Sequence, residues 1–180
     1  MRHAVAIITL FVLTLLQPFR AEAQSYAQYR QKVDTAPFIV IEKEGLKLSL
    51  VADDGSLIRQ YGISCAKVPG AKKRRGDHKT PEGIFKINEI LKSGYLSHDF
   101  GDGKGPVKGA YGPFFLRLSV PGFIDIGIHG THKPESIGTR DTEGCIRLTN
   151  EDIKDLRSRI VLGTPVIILP AEADLKADAR

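Results

Sequence analysis

The 180-residue sequence has no tryptophan, one methionine and only two cysteines. Two cysteines are too few for a scaffold held together by several disulfides, so the fold must rest on a hydrophobic core. Hydrophobic residues make up 42% and charged residues 26% of the chain. This composition is ordinary for a globular protein and excludes collagen-like, coiled-coil and intrinsically disordered classes. The length fits a single domain.

The sequence also lacks a long hydrophobic run. Its uncharged stretch, Ala4 to Leu16, is too short to cross the ~30 Å core of a bilayer, which needs about 20 residues. A basic start precedes the stretch, and an Ala-x-Ala cleavage site follows it at 21–23. This order is typical of a secretory signal peptide, which we expect over residues 1–23, with the mature protein outside the cytoplasm. An uncleaved N-terminal anchor is the alternative, and no integral membrane domain is expected.

Apolar and alternating runs predict a mostly β domain. The predicted strands cover 37–42, 46–51, 57–64, 84–87, 114–120, 123–129 and 164–169. One helix is predicted from Thr149 or Asn150 to Gly163, because apolar residues recur between them at helical spacing. We therefore expect a lead-in over 24–36, one domain with one packed helix over 37–170, and a frayed, charged tail over 171–180.

Residues that can do chemistry are concentrated between 124 and 148. His129 ends an alternating strand, and Gly130 lets the chain turn away, which leaves the imidazole facing a cleft. Cys145 follows after fifteen intervening residues and lies in a predicted tight turn with Gly144. A neighbouring histidine can take the thiol proton, and cationic groups lower a thiol pKa, which together give a nucleophile for acyl transfer. Backbone N–H groups of the turn could stabilise an oxyanion, and Arg147 could bind a carboxylate through two hydrogen bonds.

Several motifs resemble, in order and spacing, the L,D-transpeptidase (YkuD-type) catalytic domain. They are His129-Gly130-Thr131, Thr142-x-Gly144-Cys145-Ile146-Arg147, Gly76-Asp77-His78-Lys79-Thr80-Pro81-Glu82-Gly83, Tyr111-Gly112-Pro113-Phe114 and Ser136-Ile137-Gly138. The resemblance runs from about 37 to 169, nearly all of the mature chain. It implies a β-sandwich-like catalytic domain in the periplasm or cell wall that acts on peptidoglycan stem peptides and needs no metal or cofactor.

The resemblance also implies a role for each residue. Cys145 would attack the carbonyl of the third stem residue and release the terminal D-alanine, and the thioester would then pass to an amine. His129 would be the general base, oriented by the backbone carbonyl of Gly130, and Gly144 would contribute an oxyanion N–H. The expected substrate-binding residues are Arg147, Thr142, Thr131 and Tyr111.

Glu143 departs from the resemblance, because many members carry histidine there. A carboxylate beside the nucleophile raises the thiol pKa unless it points away or pairs with Arg140 or Arg147.

Capture of the thioester by water would make the protein an L,D-carboxypeptidase or a hydrolase of a peptidoglycan–protein linkage. A disulfide between Cys145 and Cys65 would instead leave a non-catalytic cell-wall-binding module, although Cys65 is more typical of a small buried hydrophobe.

Two loops and one further histidine complete the candidates. The basic run Lys72, Lys73, Arg74 and Arg75 is either a solvated loop or a surface that attracts an anionic cell-wall polymer, and nucleic acid is not expected as a partner. The glycine-rich stretch 101–105 is predicted to be a flap beside the cleft. His132 could join His129 and Cys145 on zinc, but no further ligand pair completes a four-ligand set, so we expect a place on the surface or cleft wall.

Overall fold

The computed structural model describes residues 36–179. The predicted signal peptide and all but the last residue of the lead-in lie outside the described residues. The elements below belong to one compact unit, Pro37–Arg180. Neither helix found between 36 and 179 has the length and apolarity that crossing a membrane requires.

Within this range the chain forms twelve strands, two α-helices and a 3-10 turn at Pro134–Ser136. The strands are β1 (Phe38–Glu42), β2 (Lys47–Val51), β3 (Leu57–Gly62), β4 (Cys65–Ala66), β5 (Gly83–Lys92), β6 (Ser97–His98), β7 (Val107–Lys108), β8 (Phe114–Leu118), β9 (Gly127–His129), β10 (Arg140–Thr142), β11 (Ile146–Arg147) and β12 (Pro165–Leu169). The helices are α1 (Asn150–Arg159) and α2 (Glu172–Asp178).

Eight strands form one curled sheet in the order β11-β9-β8-β5-β12-β1-β2-β3. The long strand β5 belongs to both halves of this sheet. Its first residues pair with β12, and its last residues pair with β8, with an irregularity between Ile87 and Glu89. Pairs β4–β10 and β6–β7 lie outside the large sheet. The prediction of a mostly β fold is confirmed.

Helix α1 packs on the sheet through Ile153 and Leu156, which are fully buried. Its N-cap is Thr149, whose side-chain oxygen accepts a hydrogen bond from the Asp152 N–H at 3.1 Å. This cap satisfies an N–H group that the first turn leaves without a helical partner. The sequence prediction of this helix is confirmed, although it ends at Arg159, before Gly163.

Several strand boundaries differ from the sequence prediction. Strand β5 extends to Lys92. Strand β9 is only three residues long, because the chain between Val120 and Phe123 forms a tight turn closed by a hydrogen bond from the Phe123 N–H to the Val120 carbonyl. Strand β3 ends at Gly62, so the run predicted through residue 64 is shorter.

The prediction of a frayed tail over 171–180 is wrong, because helix α2 forms there. Its Asp174 is fully buried, accepts hydrogen bonds from the Ala171 and Gly70 N–H groups, and pairs with Lys43 at 2.9 Å and Arg140 at 2.7 Å. Burial alone would raise the pKa of Asp174, but these hydrogen bonds and cations hold it well below its ordinary value. The domain therefore has two packed helices, and the second is anchored by buried charges.

Candidate active site

A cavity of about 290 Å³ opens beside the ends of β9 and β11. Five of the eight expected catalytic and substrate-binding residues line it: Tyr111, His129, Thr142, Cys145 and Arg147. The other lining residues are Lys72, Arg75, Gly76, His78, His98, Phe100, Ala110, Asp125, Ile126 and Glu143. The sheet therefore brings together the residues of two motifs that are separated along the chain.

His129 ends β9, where its backbone lies between β8 and β11, opposite Phe115 and Arg147. Its Nδ1–H donates to the Gly130 carbonyl oxygen at 2.6 Å. The Phe115 ring stacks on the imidazole at 5.5 Å, and the Tyr111 ring meets it edge-on at 5.0 Å. With the proton of the neutral ring on Nδ1, the lone pair is on Nε2.

Burial lowers the pKa of His129 to about 4, with Arg147 acting in the same direction and the Gly130 carbonyl opposing it. The imidazole is therefore neutral near neutral pH and can accept a proton. The chain at Gly130 has no room for a side chain, because a Cβ there would lie 2.9 Å from Pro113 Cδ. Close backbone packing behind the imidazole thus depends on this glycine.

Cys145 lies in the turn between β10 and β11. Thr142 holds this turn, because its hydroxyl donates to the Cys145 carbonyl at 2.6 Å and accepts from the Gly144 N–H at 3.2 Å. Gly144 has a φ of +135°, and a Cβ there would lie 2.9 Å from the Lys79 carbonyl. The Thr142 hydroxyl, expected to bind substrate, and the Gly144 N–H, expected to bind an oxyanion, therefore both make hydrogen bonds inside the turn.

The Cys145 thiol donates to the Asp125 carbonyl at 3.4 Å. Burial raises the pKa of this thiol to about 11; the Gly127 N–H, Lys72 and Arg147 oppose the rise, and Asp125 adds to it. The expectation of a lowered thiol pKa is wrong, because burial outweighs the neighbouring cations. The resting site holds a neutral thiol and a neutral imidazole.

Both cysteines are free, so the alternative of a Cys65–Cys145 disulfide is not realised in this structure. Cys65 is fully buried on β4. Burial raises the pKa of its thiol too.

Arg147 is buried, and its Nη1 donates to Ser136 Oγ at 2.8 Å and to Asp141 Oδ2 at 3.2 Å. Burial would raise the pKa of Asp141, but hydrogen bonds from Lys133, Lys67 and Arg147 lower it to about 2. Arg147 was predicted to bind a carboxylate, and in this structure its Nη1 already binds the carboxylate of Asp141. The Nε of Arg147 is buried and has no hydrogen-bond partner among residues 36–179.

Glu143 pairs with neither arginine proposed for it. Arg147 binds Asp141 and Arg140 binds Asp174, whereas Glu143 Oε2 lies 3.1 Å from His98 Nε2. The other ring nitrogen of His98, Nδ1, lies 3.0 Å from the Tyr111 hydroxyl. Sequence reasoning missed His98, which lies on a two-residue strand outside every motif, and the one available signal was that Glu143 needed a partner.

Thr131, one of the expected substrate-binding residues, lies outside the cavity lining. It is buried, its N–H donates to Asn150 Oδ1 at 2.8 Å, and its hydroxyl accepts from the Lys133 N–H at 2.8 Å. These contacts support the chain that follows the catalytic histidine candidate. Thr131 is therefore a structural residue of this loop in the present structure.

The basic loop contributes to the cavity wall. Lys72 is almost fully buried, pairs with Asp77 at 2.9 Å and lies 4.9 Å from the centre of the Phe123 ring. Arg75 is exposed and pairs with Asp125 at 3.4 Å. The loop is thus a folded wall whose exposed cations are Lys73, Arg74 and Arg75.

Phe100 lines the cavity directly before the glycine-rich stretch and contacts two histidines. Its ring lies 4.5 Å from that of His98 and 5.1 Å from that of His132, whose Nδ1 is 3.3 Å from the Ala110 carbonyl. Among residues 36–179, no group of three or more His, Cys, Asp or Glu side chains is placed to hold a metal ion.

Comparison with known proteins defines the class. The L,D-transpeptidase catalytic domain family, YkuD, matches residues 36–168. The chain therefore belongs to this family. It is 33% identical over 139 residues to a protein named L,D-transpeptidase YkuD from Bacillus licheniformis, a match that covers 76% of this chain and 68% of the relative.

Solved structures agree on the fold. An L,D-transpeptidase from Mycobacterium smegmatis superposes with a TM-score of 0.56 at 17% identity and covers 75% of this chain. Bdellovibrio bacteriovorus Bd1075 superposes with a TM-score of 0.54 at 28% identity and covers 76% of this chain. The matched regions are 59% and 49% of those two chains, so both neighbours are considerably longer than the shared domain.

Proposed function

We propose that this protein is an L,D-transpeptidase that acts on peptidoglycan stem peptides through a thioester at Cys145. The observation that carries the proposal is that Cys145 and His129 line one cavity, with the imidazole neutral and its Nδ1–H held by the Gly130 carbonyl. Family membership and the name of the Bacillus relative support the same reaction.

In the first step, the Cys145 sulfur attacks the carbonyl carbon of the third stem residue while its proton moves to His129 Nε2. Because the thiol and the imidazole are both neutral at rest, we expect proton transfer to accompany the attack. The thiol must first leave its hydrogen bond to the Asp125 carbonyl. His129 then gives the proton to the leaving amine, so D-alanine departs and a thioester remains.

The tetrahedral intermediate needs a hydrogen-bond donor for its oxyanion. The Cys145 N–H is the better candidate of the turn, because the Gly144 N–H already donates to Thr142. Arg147 also lines the cavity, and its Nε has no hydrogen-bond partner in the described chain. Its positive charge would help to stabilise the oxyanion. In this proposal Thr142 contributes by holding the turn, and Gly144 by giving it a backbone conformation that other residues rarely adopt.

In the second step an amine attacks the thioester and forms the cross-link. Peptidoglycan, the proposed substrate, is found outside the cytoplasm, which agrees with the export signal expected over residues 1–23. Lys73, Arg74 and Arg75 are exposed next to the cavity, so we include attraction of an anionic wall polymer in the proposal, without the buried Lys72.

The test is mass spectrometry of tetrapeptide muropeptides incubated with the mature protein, with and without a D-amino acid. We expect cross-linked or exchanged products that vanish in Cys145→Ala and persist in the matched control Cys65→Ala. Loss of the terminal D-alanine alone would instead assign an L,D-carboxypeptidase. Unchanged muropeptides would contradict the proposal and leave a linkage hydrolase or a binding module.

A further inference from the structure

His98 uses both of its ring nitrogens, and this fixes the direction of a chain of hydrogen bonds. Its Nε2 lies 3.1 Å from Glu143 Oε2, and its Nδ1 lies 3.0 Å from the Tyr111 hydroxyl. A carboxylate can only accept, so Nε2–H donates to Glu143, and in the neutral ring Nδ1 accepts from the Tyr111 O–H. Carboxylate, imidazole and hydroxyl thus follow one another in the order found in catalytic triads. There the carboxylate orients the imidazole and stabilises its protonated form.

This chain of three side chains faces the same cavity as Cys145. The Tyr111 ring is edge-on to His129 at 5.0 Å, and the Phe100 ring holds His98 from another side at 4.5 Å. Burial, together with Cys145, Glu143 and Asp125 nearby, raises the pKa of Tyr111 to about 12. The hydroxyl therefore keeps a proton near neutral pH and can receive one proton as it gives up another.

The proposed function leaves one proton without an acceptor. An amine of an amino acid is an ammonium group near neutral pH. It must lose one proton before it can attack a thioester and a second proton as the new bond forms. His129 can take only one, because Nδ1–H is committed to the Gly130 carbonyl and Nε2 is its single basic position.

We propose that Tyr111, His98 and Glu143 form a second proton-transfer chain that converts the bound acceptor ammonium into the attacking amine. This inference rests on the proposed function and assigns Glu143 to the second half of the reaction. Tyr111 contacts the acceptor and His98 takes up the proton. Glu143 is a positioning residue that fixes the tautomer of His98 and stabilises its charged form.

The protons balance in this scheme. The ammonium gives one proton to the Tyr111 oxygen while the Tyr111 proton moves to His98 Nδ1, which leaves a neutral amine and an imidazolium on Glu143. The amine nitrogen then bonds to the thioester carbon, the carbon–sulfur bond breaks, and the second amine proton passes through His129 Nε2 to the sulfur. The His98 side chain is 29% exposed, so it can return its proton to water.

The experiment separates the two half-reactions in the mature protein. Thioester formation from a tetrapeptide muropeptide is followed by mass spectrometry, and decay of the thioester is timed after addition of glycine or hydroxylamine. Near neutral pH glycine carries an ammonium, whereas hydroxylamine is already a neutral nucleophile. Glu143→Gln and Tyr111→Phe are compared with Glu135→Gln and Tyr95→Phe, which change the same groups at exposed positions outside the cavity.

We expect each cavity variant to slow transfer to glycine by about 100-fold, the usual contribution of a general base. Transfer to hydroxylamine should change far less, and neither control should discriminate between the acceptors. A structural defect would slow both acceptors alike, and that result would overturn the proton-transfer chain. Equal rates in variant and wild type with glycine would also overturn it while leaving the proposed function in place. Absence of a thioester on the wild-type protein would overturn both.

Discussion

The two cysteines of this domain differ in their access and in their neighbours, but the pKa of both thiols is shifted in the same direction. Burial raises the pKa of both thiols, to about 11 for Cys145. Cys65 is enclosed in the core on β4, near the charges of Arg140, Lys43 and Asp174. Cys145 is in a turn that faces the cavity of His129. The comparison teaches that access and a neighbouring base distinguish a candidate nucleophile here, and that an unusually acidic thiol does not.

The largest expected effect is a difference in alkylation between the two thiols. In the folded protein, iodoacetamide should label Cys145 at least about 10³-fold faster than Cys65, because Cys65 reacts only after the core opens. Peptide mapping by mass spectrometry measures both rates, and urea should abolish the difference. The labelling rate of Cys145 should also rise steadily with pH from neutrality towards 11, since the thiolate is the reactive form. Similar rates for the two thiols in the folded protein would contradict the comparison.

The next effect concerns the base that only Cys145 has beside it. His129→Gln should slow thioester formation by about 10²-fold or more, the usual loss when a general base is removed. In the wild type the rate should fall in acid only as the pH approaches the His129 pKa of about 4, because protonation then removes the Nε2 lone pair. A pH–rate profile of D-alanine release measures this limb. An acid limb near pH 6.5, the ordinary value for histidine, would show that the imidazole is not buried as described.

The last effect concerns the charges around Cys65 and is on stability instead of reaction rate. Asp174→Asn should lower the free energy of unfolding by about 3–5 kcal/mol, because it removes the buried carboxylate that pairs with both Arg140 and Lys43 and leaves Lys43 only its pair with Glu82. The folded-state pKa of Asp174 is lowered, so its contribution is complete above the unfolded-state pKa of about 3.9 and is lost as the pH falls. Urea unfolding at several pH values measures both. Asp102→Asn, at an exposed loop position, is the matched control, and equal effects of the two variants would contradict a buried charge cluster.

Local sequence was sufficient for the features that depend on local pattern. Each of these features depends on residues that are close together in sequence: the alternating strands, the cap of α1 and the residues that flank Cys145. Helix α2 was missed because its anchor, Asp174, pairs with Lys43, which is far away in sequence, directly after β1. His98 was missed for the same reason, since its partner Glu143 lies 45 positions later. The thiol pKa was misjudged because burial is a property of the finished fold.

Strands β9 and β11 are neighbours and run parallel, with Ile128 opposite Ile146 and His129 opposite Arg147. Two parallel neighbours cannot be joined by a tight hairpin and need a crossover of about a dozen residues or more. The fifteen residues between His129 and Cys145 are that crossover. The interval between the two motifs therefore has a geometric lower limit: related sequences can lengthen it by insertion, but a substantial deletion would separate the imidazole at the end of β9 from the thiol in the turn before β11.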